Sequence, residues 1–482
     1  MTARGKRSTG SLSLRRILEA SRQVEDAEAD APSLAHAFVP QTSTTPSRQF
    51  EDVVTAGILP EDIVDDLFLH YHEHLNPLTG LLDRDLHTPA YVRQKSAILF
   101  TTVLAVATKV ALSNLYPPVL KYVRSLLGQA FEYGTNDVEL VQALALYSFW
   151  APPTDGTALR KLSYAIRSAI ELGLERHAKR PLGSDVRETL NRERTWLFLT
   201  VLDHRFTTQR KRPRMIADEH RADPMPWLLE HTPVGSVSQD AVNVGLVQFS
   251  RLVDLFDVAV SPDDATSLRL LAHFEREAQD WREAWLGVAA PIKPHPAQAA
   301  LFRCYHGILL FEHSEAQLYL AIKRSTEPAL AFSKSVKAAT SALDVITREI
   351  DAMHFAYDTM WVGGSSLAVW LAQNSSALEE AQASLAGFRD VAARCAEGPQ
   401  QIAGYVLRML DSLLARENLT VAVAPHVTAS LGVPAWYGAG VHEAPASIIP
   451  DLGAPSGDGF LATMQPFDDA LWSSLFPLLG QT

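Results

Sequence analysis

Residues 137–150, DVELVQALALYSFW, begin the stretch on which the fold turns, and AIRSAIELGLERH (165–177), RERTWLFLTVLDHRF (192–206) and RKRPRMI (210–216) complete it. Asp137 stands where a helix cap belongs, and Val141, Leu144, Ala145 and Ser148 then recur at helical spacing on a face of small and medium side chains. The next two segments keep the same period, and the last is a basic loop. Nothing in the three helices resembles catalytic machinery. The stretch specifies a framework, and any activity is expected nearer the ends of the chain.

Outward from it, the pattern stays helical. Upstream, Leu59-Pro60-Glu61-Asp62 opens a helix through Ile63, Leu67 and Tyr71 that is expected to stop at Asn76-Pro77. Thr88-Pro89 starts a second, Pro117-Pro118 a third, and Gly134 ends the third. Downstream of a Pro-rich joint at 223–233, helices are expected near 239–258, 263–287, 295–324, 330–357, 361–372, 377–396 and 399–418, with prolines and Gly363-Gly364 as separators. No segment sustains period-two alternation, so the expected fold is all-α. So many helices exceed one core, which rarely grows past about 250–300 residues, and an elongated array or two fused bundles is expected.

The 482 residues carry 47% hydrophobic side chains and a net charge of −12, enough apolar surface for a large core and the wrong sign for wrapping nucleic acid along the whole chain. Two cysteines, Cys304 and Cys395, make neither a disulfide framework nor a zinc site, and a reducing compartment is expected. The longest apolar run, Ala97 to Val106, is too short for a bilayer, where about 20 residues are needed, and no apolar leader opens the chain. Residues 1–48 run from basic to acidic and close in QTSTTPS, the composition of a disordered linker. Residues 49–424 are the expected helical domain. Residues 425–482, mostly a disordered tail, contain no Lys or Arg.

Several clusters are candidates for chemistry. His70 and His74 are one helical turn apart and could share a metal, but His70-Tyr71-His72-Glu73-His74 lacks the HExxH order, and polar or cationic side chains also suit the last turn of a helix. Asp65-Asp66 lacks the third acid of a magnesium–diphosphate motif, and Asn136-Asp137 lacks the later Ser and Glu of its companion, so both read as helix starts. Gly363-Gly364-Ser365-Ser366 has no nucleophile-elbow spacing and reads as a loop or hinge. Glu315 falls on the apolar stripe of Leu301, Cys304, Ile308, Phe311, Leu318 and Ile322, either at its edge or lining a ligand pocket. The expectation is no enzyme, with no catalytic residue and no metal ligand.

Two clusters remain. Arg210, Lys211, Arg212 and Arg214 form a basic patch suited to nuclear import or phosphate binding, or else a solvated loop paired to nearby acids. In the tail, 466–477 reads PFDDALWSSLFP: Phe467, Leu471 and Leu475 align on one face of a helix started by Asp468-Asp469, with Trp472 and Phe476 beside them. The acids hold these aromatics in water until the helix docks, either into a coactivator's groove or back onto its own domain.

The ordered pieces VQALALYSFW, then AIRSAIELGLERH, then Arg194-Thr195-Trp196 with Leu202-Asp203, then Arg212-Pro213-Arg214-Met215-Ile216, resemble the regulatory "middle homology" domain of fungal zinc-cluster transcription factors. The resemblance covers roughly residues 50 to 220, and departs at Lys211, where the family has Gly. It implies a nuclear regulator of RNA polymerase II genes. The implied partners are a coactivator through the C-terminal tail, DNA, a homodimer copy and a small-molecule inducer, with no membrane. The family's six-cysteine zinc cluster has no counterpart, since no Cys precedes Cys304. Zinc is therefore expected only with a cluster outside this chain, and DNA is reached through that module or through a partner. The rival reading is an all-α small-molecule-binding protein or an enzyme without a recognisable motif.

Overall fold

A computed structural model describes residues 50–152, 155–176, 186–209, 213–217, 223–231, 237–260, 264–290, 292–324, 326–353, 358–375, 378–396 and 402–423. The expected linker and tail lie outside them. The fold is all-α, with no strand among the described residues.

The first set of helices is α1 (Val64–His70), α2 (Asn76–Thr79), α3 (Pro89–Lys95), α4 (Ala97–Ala111), α5 (Tyr116–Glu132), α6 (Val138–Phe149), α7 (Ala158–Glu171) and α8 (Val186–Gln209). Their starts follow cap chemistry. Thr88 accepts the Tyr91 amide with Pro89 at the first helical position, Ser96 accepts that of Leu99, and Asp137 accepts that of Leu140 at 2.7 Å. Gly134 leaves α5 at φ +64°. α4 is buried on nearly every side, which its unbroken apolar sequence anticipates.

The expected stop at Asn76-Pro77 is not where the chain turns. It passes through a π-turn, Tyr71–Leu75, into α2, where Pro77 sits harmlessly in the first turn, and leaves through Gly80 at φ +55°. The Asn76 side chain makes the return: its amide donates to the Leu82 carbonyl at 2.6 Å and its oxygen accepts the Leu82 amide at 3.1 Å. These bonds bend 80–87 back across the helix end.

The second set follows a short helix, α9 (Met225–His231), and comprises α10 (Val237–Val260), α11 (Asp264–Leu286), α12 (Pro296–Arg324), α13 (Pro328–Met353), α14 (Asp358–Ser375), α15 (Glu379–Cys395) and α16 (Ile402–Val423). The expected helices are all present, with ends displaced by up to five residues. Gly363-Gly364 is the exception in kind, lying inside α14 rather than at a hinge. A Cβ on Gly364 would stand 2.5 Å from Cζ of Phe388, whose buried ring needs that slot. Gly245 on α10 makes the same room for Phe302 of α12. Here glycine serves close packing rather than bending.

The two sets meet chiefly on α10, which packs against α8 and α2 of the first and α11 and α12 of the second, while α12 also packs against α2 directly. A connected apolar cluster runs from Val53 to Leu410 across this shared helix. The all-α expectation is met, and among the described residues the two sets share one connected core.

Candidate functional site

The family-like residues of α8 converge on the junction with α10. Arg194 is only 1% exposed, and its guanidinium holds the Asp240 carboxylate with two bonds, Nε to Oδ1 at 2.5 Å and Nη2 to Oδ2 at 3.1 Å. Burial works against the arginine's charge, but the Asp240 carboxylate outweighs it and raises the guanidinium pKa, so the pair is ionic. Around it, Gln239 and Asn243 of α10 donate to the carbonyls of Leu82 and Gly80 at 2.6 and 3.2 Å. Arg187 bridges Asp83 and Asp85. His87 lies within the same loop, and burial pushes it down to about 4, leaving it neutral at pH 7. Helices α8 and α10 thus hold the 80–87 loop between them.

Toward α6, the buried Gln142 donates to Asn191 at 2.7 Å and Thr195 at 3.0 Å. Trp196 is core, as its position in the motif suggests, while Glu193 accepts the Trp227 indole N–H of α9 at 2.8 Å. Asp203 carries the sharpest structural role: its Oδ2 accepts the backbone amides of Met215 and Ile216 at 3.0 and 2.8 Å. That clamp explains why an aspartate here accompanies an Arg-Pro-x-x-Ile segment: it satisfies two backbone donors with one buried carboxylate.

The basic patch divides. Arg214 is committed to Asp254 of α10, with Nη1 to Oδ2 at 3.0 Å and a second contact from Nη2, and His204 reaches the same carboxylate at 3.5 Å. Arg210, Lys211 and Arg212 lie outside the described residues, as do Phe467, Leu471, Trp472, Leu475 and Phe476 of the tail.

The other candidates resolve as follows. The His70 and His74 rings lie 4.8 Å apart between centroids with their planes tilted by 53°, while His72 contacts the His87 carbonyl at 3.2 Å. No group of three His, Cys, Asp or Glu side chains converges as a metal site among the described residues. Asp65 and Asp66 are exposed in the first turn of α1, and Asn136 donates to Glu171 at 3.4 Å. Cys304 is buried in α12, where burial pushes its thiol pKa up, and Cys395 is on α15. Two thiols on separate helices do not fit a six-cysteine zinc cluster, so no residue here is assigned to that metal. A cleft lined by Thr102, Lys109, Tyr147 and Trp150 has about 10 Å³ of room, about the space of one water, and is no ligand pocket in this conformation. No described helix is long and apolar enough to cross a membrane.

Glu315 is partly buried, bonded to Trp370, and burial pushes it up to about 7 from 4.5. The folded state therefore favours the protonated acid. Its stabilising contribution is complete below pH 4.5 and is lost as pH rises through 7. Glu315→Gln is expected to raise the melting temperature at pH 8 relative to the parent and to leave it nearly unchanged at pH 4.5, read by melting curves across that range.

Several residues at this junction give no signal in the sequence. Asp240 reads as an acid in the first turn of a helix, and Gly80 as a turn residue. The network in which Asp155 accepts from Tyr147 at 2.5 Å and from Arg124 and Lys161 at 3.4 Å also joins groups that are separate along the chain.

No protein-family model matches the chain. Protein priB of Lentinula edodes is 28% identical over 367 residues, covering 72% of this chain and 61% of that protein. The transcriptional activator of proteases prtT of Emericella nidulans is 24% identical over 296 residues, covering 58% of this chain and 43% of that protein. The chain thus spans less than two thirds of either relative. It is distantly similar to a fungal transcriptional activator.

Proposed function

We propose that the chain is the helical regulatory region of a nuclear transcription regulator of RNA polymerase II genes, with an activating segment at 466–477. DNA recognition belongs to a zinc cluster outside this chain or to a partner, and the chain itself holds no zinc and performs no catalysis. A homodimer copy and a small-molecule inducer complete the proposed partners. The observation that carries the reading is the similarity to a protein named as a transcriptional activator. The order of motifs from 137 to 216 supports it, because the motif residues that are described join helices to one another instead of surrounding a substrate-sized cavity.

The test is a fusion of residues 430–482 to a foreign DNA-binding domain with a reporter. Activation is expected, with most of it lost on Trp472→Ala combined with Phe476→Ala, as aromatic anchors carry most of such docking energy. A fusion that fails to activate, or one indifferent to both substitutions, defeats the activating-segment reading.

A further inference from the structure

Histidines gather at one elbow of the chain: His70, His72, His74 and His87 within residues 70–87, and His295 immediately before α12. The elbow comprises the π-turn, α2 and the loop after it, and it packs against α4, α10 and α12. Two of the rings tie it together as neutral donors. His87, only 1% exposed, donates from Nδ1 to the Asp83 carbonyl at 3.1 Å, and His72 donates from Nε2 to the His87 carbonyl at 3.2 Å. A second proton on either ring adds a positive charge and an N–H that needs an acceptor. On His72 that N–H is Nδ1, which is buried with no hydrogen-bond partner, as is Nε2 of His70.

The surrounding charges do not compensate a new cation. Within the elbow, Asp83 and Asp85 are paired to Arg187 of α8, and Glu73 to Arg84. α8 also brings Arg194, already ionic with Asp240 of α10. α3 sets Tyr91 against the His87 ring, with the Tyr91 hydroxyl donated to Glu188 of α8 and Lys95 over its face. α4 carries no charge before Lys109. Burial pushes His72 down with Arg84 adding to it, and it pushes His87 down to about 4 with Arg194 adding to it. The His70 and His74 rings are 4.8 Å apart, and His74 is close enough to act on the charge of His295. Burial and then the His74 charge push both His70 and His295 down.

We propose that this histidine cluster makes residues 70–87 an acid-released clasp. Protonation of His72 and His87, with repulsion among His70, His74 and His295, frees the elbow from α8, α10 and α12, so that the helical framework responds to acidification. The folded elbow holds these rings neutral and the released one does not. The clasp is therefore fully closed above pH 6.5 and is lost as pH falls toward 4. Glu315 acts with the opposite sign, so melting of the whole chain mixes the two and a local readout is required. The clasp does not depend on what the chain regulates.

Hydrogen exchange of the full chain, corrected for the intrinsic pH dependence of amide exchange, supplies that readout. The segment 75–87 contains the Gly80, Leu82 and His87 amides, bonded to Asn76 and Asp83. Its protection should fall at least about tenfold between about pH 7.5 and 5.5, the loss expected from His87 alone for a shift from 6.5 to about 4. Protection at 336–350 of α13 should stay constant. His72→Gln with His87→Asn keeps an amide donor near each bonded ring nitrogen and removes both titrations, so the fall should shrink to about threefold or less. A parent whose protection ignores pH, an equal loss at 336–350, or a larger fall in the double variant would each overturn the proposal. Should the double variant fail to fold, exchange of the ring C2 hydrogens in the parent decides by titrating His72 and His87 individually. Both midpoints below 6.5 support the clasp, and either one at or above 6.5 overturns it.

Discussion

An Asp240→Leu variant is expected to lose about 3–5 kcal/mol of stability, the cost of stranding a buried guanidinium. Arg194 is 1% exposed, and Asp240 supplies two of its hydrogen bonds, so the charge that remains has neither its bidentate carboxylate nor direct access to water. The measurement is the shift of the urea midpoint at unchanged slope. Arg194→Met combined with Asp240→Leu supplies the decisive contrast. Replacing both charges with apolar groups of similar volume should restore most of the loss, since a buried ion pair often gives little net stability over such a pair. If the double variant is as unstable as Asp240→Leu, the pair does more than neutralise itself, and its bonds rather than its charges hold α8 to α10.

Gly80→Ala comes next in expected size, about 2–5 kcal/mol, from two separable causes. At φ +55° any L side chain is strained, and the added Cβ would lie 2.6 Å from Val242 Cγ1 and 2.7 Å from the Gln239 carbonyl oxygen. The carbonyl belongs to the backbone of α10 and cannot rotate away. Gly57 supplies the control, with φ +68° and nothing within 4 Å of the position a Cβ would take. Gly57→Ala should therefore show the conformational strain alone, about 1–2 kcal/mol. The difference between the two urea midpoints measures how tightly the 80–87 loop is pressed onto α10. Equal shifts would mean that α10 yields and that the contact is not a constraint.

Much of the helical order is legible because it is written locally. Asp137, Thr88-Pro89 and Gly134 act on amides and carbonyls within four residues, and a single sequence contains that information. Two signals mislead where a local pattern meets a distant partner. Gly363-Gly364 looks like a break until the ring of Phe388 occupies the space, and Asn76-Pro77 looks like a stop until Asn76 bonds Leu82. The junction around Arg194 is illegible for the same reason: its carboxylate partner is 46 residues away, in a helix start of ordinary composition. Asp203 is visible as part of a motif, but its clamp on residues 215 and 216 emerges only once the chain after α8 has turned back.

The shared helix α10 sets a limit on mapping a chain of this size by nested truncations. A cut at 232–236 removes Asp240 from α8 and Val242 from Gly80 in one fragment, and leaves α10 without its α8 side in the other. Phenotypes from such fragments would report a collapsed framework, not a missing module. Point substitutions in the intact chain are the interpretable probe between residues 50 and 423.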